Sequence, residues 1–587
     1  MEEYIKKENT MKILLKRGKV INVFTGEIEE SDVLIENNVI IGVGEYNEDD
    51  ADIIKDVSHK YICPGLIDGH IHIESTMLTP VELAKVVLAH GTTSIVADPH
   101  EIANVCGIEG IEYILGKSED IPLHVYVMLP SCVPATQFDE SATELMATDL
   151  EPYYDVERVL GLAEMMNYPG VLSGDLKVKE KIHDAVARNL VVDGHAPLVT
   201  GRDLDRYIAA GIQSDHECSN EEEAKERVRK GQWVMIRQGT AARNLEGLLP
   251  MFNDRYKHRC ILVTDDRHPS DLLEDGHIDN IIRLAVKNGK SVITAIQMAT
   301  IQAAQCFNLR LVGAIAPGYR ADILVLDDLE QFKVRDVYSE GEQVVDNGKV
   351  VQIEEPWIDD DLYERICTSF HMNEVSEKDF VIKPEGVADI DGMSEEEAQR
   401  KVRVIKIIEE QLLTQEWQTQ VNLKKDNGID IERDILKLAV IERHNYTGHI
   451  GLGYISGIGL KEGAIAASVS HDSHNLIVIG TNEKDMALAA NHIKKLEGGS
   501  VVVKDGQILA DMQLKIGGLM AVEPASYVAE KNLKVREMVY ELGVPKEIEP
   551  FMTMAFVSLP VIPDIKMSTK GLIDVNKQER VSLFVDE

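Results

Sequence analysis

The chain has 587 residues, too many for one hydrophobic core and enough for about three folding units. Its apolar (44%) and charged (27%) fractions are those of a globular protein, but 100 Asp plus Glu against 61 Lys plus Arg leave a formal charge of −39. A field of that sign repels phosphate backbones and anionic lipid, which argues against nucleic acid and membrane surfaces and favours small neutral or cationic molecules.

The amino terminus, MEEYIKKENTMK, has no apolar core of signal-peptide length, and no run of 18 apolar residues follows it. The seven cysteines are scattered without a C-x-x-C pair, as expected for reduced thiols in the cytoplasm. Residues 11–60 read as short β-strands, with Gly18, Asn37-Asn38 and Gly44 at turns. They are too few to bury a core. A second β-rich stretch, 320–353, carries an Asp-Asn-Gly hairpin signal at 346–348. The two stretches are expected to join as one composite β-sandwich, 1–61 and 313–355.

Between them, residues 62–312 alternate strand-length apolar runs with amphipathic helices. The runs are Gly65–His72, Thr93–Asp98, Leu123–Leu129, Val159–Met165, Leu190–His195, Gly211–His216, Trp233–Gln238 and Cys260–Asp265. Eight such units are the arithmetic of a (β/α)8 TIM barrel. An open doubly wound sheet would carry a glycine-rich phosphate turn after its first strand, where this chain has His-Ile-His-Ile-Glu. A linker is expected at 356–378 and a C-terminal α+β domain at 379–587. That domain opens with a helix read in KVRVIKIIEEQLLTQEW, and its glycine-rich centre GHIGLGYISGIGL is read as tight turns and close backbone packing.

Catalytic residues of such a barrel sit at the carboxyl ends of the strands. Those ends carry His70 and His72, Asp98 with His100 and Glu101, Glu164, His195, His216, and Asp265 with Asp266. Residues i and i+2 of a strand share a face, so His70 and His72 can converge on one ion. The set resolves into two divalent metal sites per subunit: His70, His72 and Asp265 for one ion, His195 and His216 for the other, and Glu164 between them. A water bridging two such ions loses its proton near neutral pH. Imidazole and carboxylate ligands admit manganese, iron or zinc.

PGLIDGHIHIEST, the DGH and DHE strand ends, TDD and the returning GAIAPGYRADILVLD resemble the amidohydrolase superfamily. VADPHEIANVCG, AEMMNYPGVL, ERHNYTG and SVSHDSHNLIVIGTN narrow the likeness to the adenine deaminase family. The resemblance spans nearly the whole chain. It implies a metal-dependent barrel flanked by a composite β-sandwich, with manganese the first candidate. It also implies hydrolytic conversion of adenine to hypoxanthine and ammonia in purine salvage, by a homo-oligomer (dimer or larger). The alternative is another binuclear amidohydrolase acting on a different aminopurine, a pyrimidine or a cyclic amide. Ring-opening members usually bridge their metals with a carboxylated lysine where this chain has Glu164; Lys177 and Lys179 read as a helix start. Deamination needs an acid at N1 of the ring. Glu101 is expected in that role, kept protonated by neighbouring carboxylates. Asp265 should carry the proton from the nucleophile to the leaving amine, and Asp98 and His100 should orient Glu101 or touch the purine. His471 and His474 of SHDSHN are read either as a substrate or metal contact or as a packing turn.

Overall fold

The structure is a computed structural model that describes residues 11–240, 242–408 and 412–585. The first ten residues, which include most of the stretch read for targeting, lie outside the described residues.

Eight strands form the central barrel. In chain order they are β1 (Leu66–Ile71), β2 (Thr92–Ala97), β3 (His124–Leu129), β4 (Val159–Met165), β5 (Val191–Gly194), β6 (Ser214–Asp215), β7 (Trp233–Arg237) and β8 (Cys260–Val263). The first five and the last three make two parallel arcs. The arcs meet where Gln213 N donates to Val192 O (2.9 Å), and where Ile71 bridges Asp265, whose N–H donates to His70 O (2.9 Å). Ile67, Val96, Met128, Ala163, Met235, Ile261 and Val263 fill the interior, which explains strands that read as continuous apolar runs. A side chain at Gly69 would lie 2.6 Å from Ile261 Cδ1, so the glycine leaves room for the interior side chains of β8.

The helices follow from local signals. In Pro80–Ala89, proline takes the first turn, Thr79 caps Glu82 N (3.4 Å), and Val81, Leu83, Ala84, Val87 and Leu88 face the barrel. A buried polar knot tightens the seam between β1, β2 and β8. Asp68 accepts from Thr264 N (3.1 Å) and faces His277 Nε2 (3.0 Å), while His277 Nδ1 meets Thr92 Oγ1 (2.8 Å).

Strands from both flanks of the barrel segment share one nine-stranded sheet, in which Tyr61–Pro64 pairs with Ile323–Asp328. The sheet forks where Lys12–Ile21 bulges between Leu15 and Gly18, one half pairing with Ile53–Asp56 and the other with Tyr61–Ile62. The two flanking stretches thus form one composite β-unit, a forked hydrogen-bonded sheet with its own apolar core. Arg320 fastens it to the barrel, donating to Ser94 Oγ (2.9 Å) and Tyr126 Oη (2.8 Å) while paired with buried Asp322 at 2.6 Å.

Two expectations need correcting. The segment read as an irregular linker contains the helix Asp360–Cys367, capped by Asp359 and fastened to the barrel helix Ile108–Lys117 by Arg365 and Glu109 (2.8 Å). The segment read as a helix is an antiparallel hairpin, Gln399–Ile407 with Thr414–Asn422. Val402 and Val404 alternate inward with charged neighbours, a period of two that β-branched residues stabilise. Residues 409–411 of that segment lie outside the described residues.

The C-terminal unit is an eight-stranded sheet covered by the helix Glu483–Leu496. Its glycine-rich strand Ile450–Ser456 lies against the hairpin Ile565–Asp574. A Cβ at Gly451 would sit 1.9 Å from Ser568 O, so the backbones touch there. All seven cysteines are free thiols, and no described helix is long and apolar enough to cross a membrane.

Candidate active site at the barrel mouth

Every sequence-predicted strand-end residue is buried, and all lie at the carboxyl end of the barrel. Glu164, at the end of β4, is the centre. Its Oε2 is 2.8 Å from His195 Nδ1 and 3.1 Å from His216 Nε2, while its Oε1 is 3.5 Å from His72 Nε2. His72 Nε2 is also 3.5 Å from Asp265 Oδ1, and His70 stacks on His216 at 4.4 Å. Donor atoms of His70, His72 and Asp265 lie within 4.8 Å of one another, as do those of His70, Glu164 and His216. Asp265 holds its place with φ 61°, a left-handed backbone that is costly for a side-chain-bearing residue and recurs at functional sites.

The histidines are set for ligation. His70 Nδ1 faces Asp193 Oδ2 (3.2 Å), leaving Nε2 buried without a protein partner. His72 Nδ1 donates to Asp98 O (3.1 Å), leaving Nε2 toward Glu164 and Asp265. Metal-bound histidines usually spend their second ring nitrogen in this way. His195 Nε2 and His216 Nδ1 are likewise buried without a protein partner.

Electrostatics point to cations. Burial pushes Glu164 up, but the charges of His195 and His216 outweigh it and hold the carboxyl well below its usual range. Burial also opposes ionisation of Asp265, where Arg237 and His72 prevail. Burial pulls His70 and His195 down, yet the carboxylates around them lift both to about 9. The donor set therefore fits divalent metal ions: ionised carboxylates, basic imidazoles and orphaned buried nitrogens in one cluster.

Around the cluster stand residues that the strand-end reading passed over. Arg237, ending β7, joins Asp265 Oδ2 (2.5 Å) to Glu217 Oε1 (2.7 Å), and Glu217 lies 3.5 Å from both His195 and His216. Asp193 precedes His195 by two residues, so the same-face rule applied to His70 and His72 would have found it.

Glu101 lies beside the cluster, not in it. Ser75 Oγ donates to its Oε1 (2.7 Å), and the same hydroxyl lies 2.6 Å from Asp266 Oδ1. The C-terminal unit supplies the other partners, His474 Nε2 at 3.4 Å and His471 Nδ1 at 3.8 Å. This corrects the expected environment: burial pushes Glu101 up, but His474 and His471 bring it below the ordinary carboxylate range. The carboxyl that keeps its proton is Glu74, raised to about 8 by burial and by the Glu101 charge. His100 spans Asp98 (Nδ1 to Oδ2, 3.1 Å) and Asp472 of the C-terminal unit (Nε2 to Oδ1, 3.6 Å). Arg443 and His444 lie behind this layer. Arg443 Nε donates to His474 O (2.6 Å), and His444 Nε2 meets Ser473 O (2.8 Å).

Comparison with known proteins gives the chain's relatives. The amidohydrolase family profile matches residues 61–344, and that of the adenine deaminase C-terminal domain matches residues 411–579. The chain is 43% identical to an adenine deaminase of Clostridium acetobutylicum over 98% of both chains. It is 42% identical to one of Kosmotoga olearia, over 98% of this chain and 96% of that one. With one of Oceanobacillus iheyensis it shares 41% identity over 99% and 97%.

Proposed function

The chain belongs to the adenine deaminase family, and on that premise we propose that it hydrolyses adenine to hypoxanthine and ammonia at the carboxyl end of the barrel, in cytoplasmic purine salvage. The observation that carries the reading is the convergence of His70, His72, His195 and His216 on Glu164, with Asp265 beside His72, in a chain that matches an adenine deaminase over 98% of both lengths.

His70, His72 and Asp265 would hold one divalent ion, His195 and His216 a second, and Glu164, with an oxygen toward each group, both. When bound, such ions lower the pKa of a water toward neutrality and offset negative charge at the attacked carbon. The protein's own groups do the rest. Asp193 and the Asp98 carbonyl fix the ring orientations of His70 and His72. Arg237 anchors Asp265 by Oδ2, leaving Oδ1 to take a proton from the attacking water and pass it to the departing amino group. Attack at C6 pushes electron density onto N1, which must be protonated. Glu101, bonded by Ser75 and faced by His474, is the group placed to deliver that proton; because His474 and His471 hold its carboxyl ionised, it must first take the proton up from the consumed water. Water is consumed: one of its protons leaves with the amino group as ammonia, and the other makes good the proton that Glu101 delivers to N1.

Ammonia release from purified, metal-loaded protein should be robust with adenine and negligible with guanine and cytosine, and ring opening of dihydroorotate, which frees no ammonia and is followed by loss of its ultraviolet absorbance, should be negligible too. A preference for any of the other three would overturn the reading.

A further inference from the structure

A cavity reaches the ligand cluster, and its walls divide by origin. Apart from Met166 and Ala242, the barrel lines it with histidines, carboxylates and Arg237. The apolar wall comes from the C-terminal unit: Leu412, Phe556, Leu559 and Ile562, next to His471 and Asp472. Phe556 stacks on His471 with centroids 4.4 Å apart and planes 20° apart. Phe556, Leu559 and Ile562 pack with Met552 and with Ala135 from the loop after β3, so the wall is seated on the barrel.

A flat nitrogen heterocycle has a polar edge and two weakly hydrated faces. The barrel's charged groups suit the edge and the reacting carbon; they offer a ring face nothing to lie on. Small-molecule sites ordinarily join an apolar wall to a few polar groups, and here the wall is contributed by a different domain from the polar groups.

One side chain ties the wall together. Lys566, in the strand Ile565–Ser568, is fully buried, and its ammonium donates to the carbonyls of Phe556 and Leu412, each at 3.0 Å. Both acceptors are wall residues, on segments far apart in the chain. Alongside, Asp564 N donates to Thr414 O (3.1 Å) and Thr414 N to Pro563 O (3.0 Å). Burial pulls Lys566 down to about 7, so this tie holds against a desolvation cost.

We propose that the C-terminal unit is the ring-recognition half of the active site: Phe556, Leu559 and Ile562 take the face of the substrate heterocycle, and Lys566 is the positioning residue that fixes that wall over the barrel. The substrate's identity as a purine rests on the functional reading above; the division of labour between the domains does not.

The test uses full-length, metal-loaded protein carrying Phe556→Ala, Phe556→Leu, Lys566→Met or Lys566→Arg. KM and kcat for adenine and the calorimetric Kd for hypoxanthine are measured, with metal content and Tm alongside. Loss of an aromatic stacking face should raise KM and Kd about tenfold in Phe556→Ala, less in Phe556→Leu, with kcat within about threefold and metal content unchanged. Lys566→Met should raise KM similarly, and Lys566→Arg, which keeps the donors, should restore much of it. Unchanged KM and Kd in Phe556→Ala, or a loss confined to kcat, would overturn the wall. A wild-type KM in Lys566→Met would overturn the positioning role. If Lys566→Met does not fold, Lys566→Arg decides: a KM further from wild type than that of Phe556→Ala contradicts the role. Wild-type protein that binds hypoxanthine but releases no ammonia from adenine would sink only the functional reading; equal hypoxanthine affinity in wild type and Phe556→Ala would sink this one.

Discussion

Replacing Glu101 with Gln removes a carboxyl able to relay a proton and little else. The amide oxygen can still accept from Ser75 Oγ at 2.7 Å, and the amide nitrogen faces His474 Nε2 at 3.4 Å, so the helix His100–Cys106 should keep its place. Glu101 lies outside the donor groups gathered on Glu164, so metal content should survive. General acid catalysis is worth roughly 10²–10⁴ in rate, about 2.7–5.4 kcal/mol at 1.36 kcal/mol per tenfold. The variant should therefore lose at least about a hundredfold in kcat while KM for adenine stays near wild type. Steady-state ammonia release with metal analysis on the same sample checks this. Near-wild-type kcat would remove Glu101 from the proton path, and a loss that tracks metal depletion would make it structural.

Asp193→Ala should leave His70 Nδ1 and Ser214 Oγ without their acceptor and weaken metal affinity roughly 10–100-fold, read by competition with a chelating dye. Asp322→Asn should cost about 3 kcal/mol or more, because Arg320 would stay buried without its charge partner. Burial opposes ionisation of Asp322, but Arg320 and His124 hold its carboxyl well below the usual range. With the folded pKa depressed, the pair's stabilisation is complete above the unfolded value near 4 and fades as pH falls below it. Denaturant titrations should therefore show a flatter acid limb in Asp322→Asn than in wild type. Chelation should lower Tm and abolish turnover, and returned Mn2+ should restore both, since an ion at a thousand times its Kd contributes about 4 kcal/mol.

The barrel was legible because its strands are buried on both faces and end on titratable residues, so the apolar run and the active residue mark one boundary, as in VLGLAEM for Glu164. The second layer was less so. Arg237 reads as one more strand residue, and only the folded chain places its guanidinium between Glu217 and Asp265. The hairpin at Gln399–Asn422 was taken for a helix because charges spaced among valines and isoleucines satisfy either period over a short window. The partners of Glu101 were least visible. His471 and His474 stand in the other domain, and nothing local in SHDSHN indicates which carboxylate they meet. That contact is why the expected protonation of Glu101 required revision.

Deamination of adenine at a metal centre built on Glu164 ties the fold to the chemistry. Apo-protein titrated with Mn2+, with hypoxanthine formation from adenine followed after each addition, tests it most directly. Activity should rise to a maximum at two equivalents per chain and be absent at every point in Glu164→Ala. Full activity at one equivalent, or turnover that survives loss of Glu164, would contradict it.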